Sequence, residues 1–545
     1  MRETWQFLLL GVTLAPAYIL LGQSMVVVYR GSTVVNFAVG AFALLGAYAF
    51  YESHNTGVPL AGALVIGLAV GAVVGGATYL FVIQRLLGAA QLARVVATLG
   101  IQIVIIEALA LHYTDSVLFP PTLLPSHEVH IFGAVVDSFQ LAMFGVAVVL
   151  TAGLWAAYRY TLFGLQTSAV AENGRAAAAL GRSPQKIGLA NWMLGGALAA
   201  FAGILITPTL GLSVGGLPLL LVPALAICLL GGFRNFWLVL LGGLIIGIGE
   251  SELTRWVGSY SWGFGWPQAF PFLLIVLMLL VRGRSLPDRS FVAARLPAVG
   301  SGRVSPTLVA VGVTGAVLAL LLLSGTGAAA FAVSLAGGII VLSIVTVTGY
   351  AGQVSLAQVS IASLGAFIAA RFAFDFHLSF WVALLIGIAT ILPIGALIGL
   401  PALRARGVNL AIVTLGLGLV IDFVVLANLK YTNGYVGLVV KPPSLGGYSL
   451  NSATFPNRYA GLCLFFFIVA AAAVSNLRRG RVGRHLVAVR GNERAAAAIG
   501  LNVTLVKLYA FVVASGLAAL GGTCSRFSRR ACSLRTSVRR TQSCT

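Results

Sequence analysis

Apolar stretches of about 20 residues recur along the whole chain, each closed by a short polar or basic segment. Twenty helical residues rise about 30 Å, the thickness of a bilayer's hydrocarbon core, so each stretch predicts a membrane-spanning helix. In the first half the stretches lie near 7–29, 33–51, 58–81, 93–112, 139–158, 188–208, 217–232, 236–250 and 268–281. In the second half they lie near 306–325, 328–347, 354–372, 379–400, 408–428, 460–475 and 505–521. The shortest predict broken or re-entrant helices, which are tolerated only where protein or a water-filled cavity covers them. The short alternating segments of an outer-membrane barrel are missing. The expected fold class is therefore an all-α polytopic integral membrane protein.

Composition sharpens this. Of 545 residues 59% are hydrophobic and only 9% charged, with a mean hydropathy of +1.00, too little charge to cover a soluble surface of this size. The 65 glycines fit membrane helices, whose backbones approach closely at small residues. A net charge of +21 would suit a nucleic-acid partner in a soluble chain. Here the arginines sit in short loops between spans, the pattern that orients membrane proteins, and no nucleic acid is expected. Arg85 and Arg94 flank one such loop, and Arg159, Arg175, Arg182 and Lys186 lie in another. Arg282, Arg284, Arg289 and Arg295 follow the first half; Arg404 and Arg406, then Arg478, Arg479, Arg481, Arg484, Arg490 and Arg494, mark the second. With these in the cytoplasm, segments 113–138 and 429–459 face outward, and by parity so does Met1. Ala15-Pro16-Ala17 faintly resembles a signal-peptidase site, but Glu3 and the lack of a basic leader predict a retained first span. The five cysteines show no metal or disulfide spacing.

The strongest feature is self-similarity. Residues 171–181 and 490–500 match at seven of eleven positions, among them Asn173 with Asn492, Arg175 with Arg494 and Gly181 with Gly500, an offset of 319. The same offset pairs Leu45-Gly46-Ala47 with Leu364-Gly365-Ala366 and Leu198-Ala199-Ala200 with Leu517-Ala518-Ala519. An offset of 316 pairs Thr98-Leu99-Gly100 with Thr414-Leu415-Gly416. The first half has an odd number of spans, so a second copy joined directly would be inverted. Span 306–325, without a counterpart, carries the chain back and makes the repeat parallel. The expected organisation is a first unit at 1–282, a basic cytoplasmic linker at 283–305, a second, incomplete unit at 306–522 and a basic tail at 523–545.

Each repeated loop, Glu172-Asn173-Gly174-Arg175 through Gly181 and Asn492-Glu493-Arg494 through Gly500, is polar, then runs through four alanines to a glycine. Alanine favours helix and glycine stops it, which predicts two short cytoplasmic helices. A transporter driven by separate ATPases needs such pieces to carry force into its spans; an ordinary solvated loop is the alternative. Together with Val35-Asn36-Phe37-Ala38-Val39-Gly40 and Gly349-Tyr350-Ala351-Gly352-Gln353-Val354-Ser355-Leu356, these loops make the chain resemble the permease subunits of branched-chain amino acid ABC importers, as a fusion of the two. The resemblance covers about residues 5–285 and 325–522. It implies a plasma-membrane protein with two ATP-binding-cassette ATPase subunits docked on its cytoplasmic loops, ATP held by those partners and no cofactor on this chain. It also implies an external binding protein that delivers the solute to an outward-facing cavity. Relatives carry urea or short amides, so the solute stays open.

Asn36, Thr98, Ser355, Gln358 and Thr414 are polar residues within spans, candidates for a solute path or for helix–helix hydrogen bonds. Glu107, Glu250 and Asp422 are candidate intramembrane acids, Glu107 and Asp422 falling within one residue of each other at the 316 offset. Proton-carrying acids would favour an ion-coupled secondary transporter, the alternative to an ATP-driven importer; a non-transporting scaffold is a third class. No Gly-x-x-x-x-Gly-Lys-Ser/Thr run occurs and the six histidines (His54, His112, His127, His130, His377, His485) are scattered, so no enzyme activity is expected. After Gly522 the chain turns basic where the repeat predicts further spans. The expectation is a frameshift or sequence error that replaced them; a basic anchor on anionic lipid is the alternative.

Overall fold

The structure is a computed structural model that describes residues 2–282 and 300–542, apart from positions 90, 114–116, 132–133, 261, 301, 303–304, 405–406, 433–437 and 439. Most of the expected linker at 283–305 lies outside the described residues. Two compact units emerge, Met1–Arg295 and Leu296–Thr545. Among the described residues 11 helices are long and apolar enough to cross a membrane.

The first unit opens with α1 (Arg2–Ser32), α2 (Val39–Asn55), α3 (Leu60–Thr78, prolonged by one wide turn to Ile83) and α4 (Gln91–His112). A small antiparallel hairpin, β1 (Glu128–Ile131) and β2 (Ala134–Asp137), follows. Then come α5 (Ser138–Tyr160), α6 (Leu162–Ala179), α7 (Pro184–Leu210), α8 (Gly216–Leu219), α9 (Leu221–Leu230), α10 (Phe236–Val257) and α11 (Trp266–Arg282). The expected short span 217–232 is thus a broken one, interrupted between α8 and α9. Helix α1 is the unit's axis: Ala15, Ile19, Leu20 and Met25 are fully buried, and α7, α9 and α10 pack around it. Pro16 sits inside it without ending it.

The second unit holds α12 (Pro306–Leu322), α13 (Thr326–Ile344, prolonged to Tyr350), α14 (Gln358–Asp375), α15 (Phe380–Arg404), α16 (Val408–Val420, prolonged to Leu426) and α17 (Leu429–Thr432). A second hairpin, β3 (Ser444–Leu445) and β4 (Tyr448–Ser449), precedes α18 (Pro456–Arg479), α19 (Arg481–Gly491), α20 (Glu493–Ala498) and α21 (Val503–Gln542). Helix α12, the element with no counterpart, buries none of its residues and lies beside α18, where Asn457 Nδ2 donates to the carbonyls of Leu320 and Leu323. Helix α21 continues through the basic segment after Gly522.

The repeat is built into the packing. A Cβ on Gly46 would collide with Ala200, and a Cβ on Gly365 with Ala519, both partners displaced by 319. Gly203 packs on the carbonyl of Ala43, and Gly522 on that of Ala362, with the same displacement. The helices α1–α7 therefore recur as α13–α16 and α18–α21. Outside the hydrogen-bonded interior the surface is apolar: Val65, Val73, Phe81, Ile103, Val104 and Leu111 are all exposed. That is the inverse of a soluble protein and suits contact with lipid tails.

Candidate functional site

In each unit the first repeated helix and the second are joined by a non-helical break, 33–38 in one and 351–357 in the other. In the first break residues 34–38 are buried, so their backbone groups need partners inside the protein. The Phe37 N–H donates to Thr98 Oγ1 (3.4 Å) and the Ala38 N–H to Asn36 Oδ1 (3.0 Å). The matching Leu356 N–H donates to Thr414 Oγ1 (3.0 Å). Gln358 Nε2 donates to Ser355 Oγ (3.3 Å) and accepts at Oε1 from Ser343 Oγ (3.1 Å). The five path candidates thus fall into two equivalent clusters. All are at most 3% exposed, and their hydrogen bonds stitch the breaks shut. Asn36 Nδ2 alone among their polar groups is a buried donor without a hydrogen-bond partner.

The acids are not brought together. Glu250 on α10 accepts a hydrogen bond from the Tyr18 hydroxyl (2.6 Å) on α1. Asp422 is half-buried and accepts from Ser360 Oγ (3.1 Å). Glu107 lies exposed on α4 beside Ile103 and Val104. The near-coincidence of Glu107 and Asp422 in the repeat therefore does not carry over into like surroundings. Among the described residues no group of three His, Cys, Asp or Glu could hold a metal ion.

The repeated loops form the same device twice. Asn173 breaks α6 with extended dihedrals (φ −151°, ψ 95°), and its Oδ1 accepts from the Ala176 N–H (3.0 Å). Asn492 does the same between α19 and α20 (φ −156°, ψ 108°), accepting from the N–H groups of Arg494 and Ala495. Asparagine suits this position because its short side chain reaches the first free amides of a new helix. Each helix then closes on a glycine in the left-handed region, Gly181 (φ +76°) and Gly500 (φ +85°). The Gly181 and Arg182 amides return to the carbonyls of Ala178 and Ala177, and those of Gly500 and Leu501 to Ala497 and Ala496. This double closure is the hydrogen-bonded C-terminus that glycine permits. Glu172, Gly174, Arg175 and Arg494 stand exposed or half-exposed on these elements. The next helices start on equivalent caps too, Ser183 before α7 and Asn502 before α21.

Two features escape a reading of the sequence. Beneath α6 the Tyr158 hydroxyl donates to Asn191 Oδ1 (2.5 Å), and Asn191 Nδ2 donates to Thr167 Oγ1 (3.2 Å) and the Ile187 carbonyl (2.7 Å). Arg30 stacks over Tyr158 and Phe236. At the positions 319 further on, Leu477, Leu486 and Ala510 form an apolar cluster with Ala351. The second feature is Lys507, 3% exposed, with Nζ 2.7 Å from Glu493 Oε1. In the same unit the Arg490 stem lies over Gly352, where a Cβ would come within 2.8 Å of its Cγ. Burial holds the Arg490 guanidinium below its ordinary value.

The family model for the permease component of the branched-chain amino acid transport system matches twice, over residues 7–282 and 328–540. The chain is 31% identical over 203 residues to the high-affinity branched-chain amino acid transport system permease protein LivM of Salmonella typhimurium, covering 33% of this chain and 48% of that protein. It thus spans about half the length of that relative. It is 28% identical over 281 residues to the probable branched-chain amino acid transport permease protein LivH of Methanocaldococcus jannaschii, covering 48% of this chain and 84% of that one. It is 26% identical over 302 residues to the high-affinity permease protein BraD of Pseudomonas aeruginosa, covering 52% and 95%. No solved structure gives a significant match.

Proposed function

The chain belongs to the family of permease components of the branched-chain amino acid transport system, and on that premise we propose that it is the membrane channel of an ATP-driven importer for branched-chain or other small amino acids. It is a multi-pass inner-membrane protein made of two permease units. The observation that carries the proposal is the duplicated Asn-capped, Gly-closed helix at 173–181 and 492–500. Two ATPase subunits need two docking pieces of one shape, and in each unit a helix continuous with or just ahead of that piece, α6 in the first and α19 in the second, packs against the helix that leads into the buried polar break. On this reading ATP stays on the partners, an external binding protein selects the solute, and Asn36, Thr98, Ser355, Gln358 and Thr414 line the path once the breaks open. The unpartnered Asn36 Nδ2 is a donor that a solute carboxylate could take up.

The test is uptake of labelled leucine into vesicles holding the chain with its ATPase subunits. ATP-dependent uptake that survives a protonophore, and is lost in Arg175→Glu with Arg494→Glu at normal insertion, supports the importer. Uptake that follows the proton gradient instead would establish the ion-coupled alternative, for which Glu250 is the candidate carrier. Uptake of urea or a short amide in place of leucine would change the substrate class and leave the mechanism standing.

A further inference from the structure

The docking helix of the second unit carries an ion pair that the first unit lacks. In the first unit the Tyr158–Asn191–Thr167 hydrogen bonds join α5, α7 and the part of α6 that precedes Asn173, and do not reach the docking helix itself. In the second unit the equivalent positions are apolar, and the docking helix itself is held by an ion pair, from Lys507 in the second turn of α21 to Glu493 in the first turn of α20. The residues 319 earlier are Gly188 and Gly174, so the first unit has no such pair.

A lysine at the end of a span ordinarily reaches outward to water or lipid headgroups. Lys507 turns inward, and a buried ammonium is tolerated only when it is paired. What it joins is the moving part to the frame. Helix α21 carries Ala519 and Gly522, which seat Gly365 and Ala362 of α14. Helix α14 begins at Gln358, which holds Ser355 in the break. From the other side Arg490 rests on Gly352, near the start of that break.

We propose that Lys507 is a positioning residue for energy coupling: its ion pair with Glu493 locks α20 to α21, so that displacement of α20 moves α21, α14 and the break at 351–357. This rests on the reading of α20 as a docking helix. Coupling in this protein is therefore asymmetric, with an ionic tie at α20 that the first unit lacks.

The experiment measures leucine imported and ATP hydrolysed by the complex with its ATPase subunits in proteoliposomes, for the wild type, Lys507→Met, Glu493→Gln, Lys507→Arg and the charge-exchanged double variant Lys507→Glu with Glu493→Lys. The expected result is a drop of about tenfold in leucine imported per ATP for Lys507→Met and Glu493→Gln, within the usual span of coupling between sites. Lys507→Arg and the charge exchange recover most of it. A merely stabilising lysine would lower the amount of complex and leave that ratio unchanged, and an unchanged ratio overturns the proposal. So does a charge exchange that inserts normally yet stays uncoupled. Should Lys507→Met fail to insert, Glu493→Gln, which alters the more exposed partner, decides the matter by the same ratio. A wild type without ATP-driven uptake overturns the functional reading and this inference with it, whereas normal wild-type uptake with a coupled Glu493→Gln variant overturns this inference alone.

Discussion

Replacing Asn492 by alanine probes the repeated Asn-capped helix α20 at its most vulnerable point. Helix α20 has six residues, and a helix that short is marginal without closure at its ends. Asn492 Oδ1 accepts from two amides, Arg494 at 3.0 Å and Ala495 at 3.1 Å. Loss of such a cap costs about 1 kcal/mol and up to about 2 kcal/mol. That corresponds to roughly a five- to thirtyfold shift in the balance between ordered and frayed helix. Hydrogen–deuterium exchange of the chain in lipid nanodiscs reads this directly. In Asn492→Ala the amides of residues 494–498 are expected to exchange about fivefold faster, with the rest of the second unit unchanged. Asn492→Asp is expected to stay near wild type, because aspartate caps as well as asparagine. Asn173, which accepts one amide at 3.0 Å, is expected to show the smaller effect on alanine substitution. Unchanged exchange at 494–498 in Asn492→Ala, or an aspartate variant as frayed as the alanine one, would refute the capping argument.

Three further outcomes follow from the packing and the repeat. Gly365→Val places a methyl-bearing carbon against Ala519 and should destabilise the chain by about 1–3 kcal/mol, as should Gly46→Val against Ala200; unchanged melting of either purified variant would refute the close approach. Asn191→Ala strands the Tyr158 hydroxyl and Thr167 without a partner, at about 1–3 kcal/mol for each buried group left unsatisfied. The triple exchange Tyr158→Leu, Thr167→Leu and Asn191→Ala copies the second unit's residues and should melt higher than the single variant; a triple variant that melts lower would show the two joints are not interchangeable. Cysteines placed at 175 and 494 should both resist a membrane-impermeant thiol reagent in intact cells and both react in inside-out vesicles; labelling on opposite faces would refute the parallel repeat.

The spans and the duplication were legible in the residues. An apolar run long enough to cross lipid has one structural solution, a helix, because lipid offers the backbone no hydrogen-bond partner. Repeated identities at a fixed offset have one simple origin, and Gly46 with Gly365 and Gly203 with Gly522 meet equivalent neighbours accordingly. The two short loop helices were legible for a local reason: Asn, four alanines and Gly hold their own cap and stop within ten residues of chain. The two hairpins were not. Glu128–Ile131 and Ser444–Leu445 are too short for alternation to stand out from loop, and pairing across the turn creates them.

The hydrogen-bond partners of the polar residues were decided by tertiary structure. In sequence Asn36, Thr98 and Thr414 read equally as a solute path or as helix contacts; only the fold shows that Thr98 and Thr414 hold the same amide of two buried breaks. In sequence Lys507 is a basic residue at the end of a span, one of many. Whether such a side chain meets water or a carboxylate depends on which neighbours the other helices bring to its face, and those neighbours lie far off along the chain or across a turn. Hydropathy belongs to the residue and is settled one segment at a time, whereas burial and pairing belong to the assembled helices. For that reason the sequence by itself determined that this chain spans a membrane twice over in related units, and only the packed structure decided that Lys507 and Glu493 pair in the second unit, where the first has two glycines.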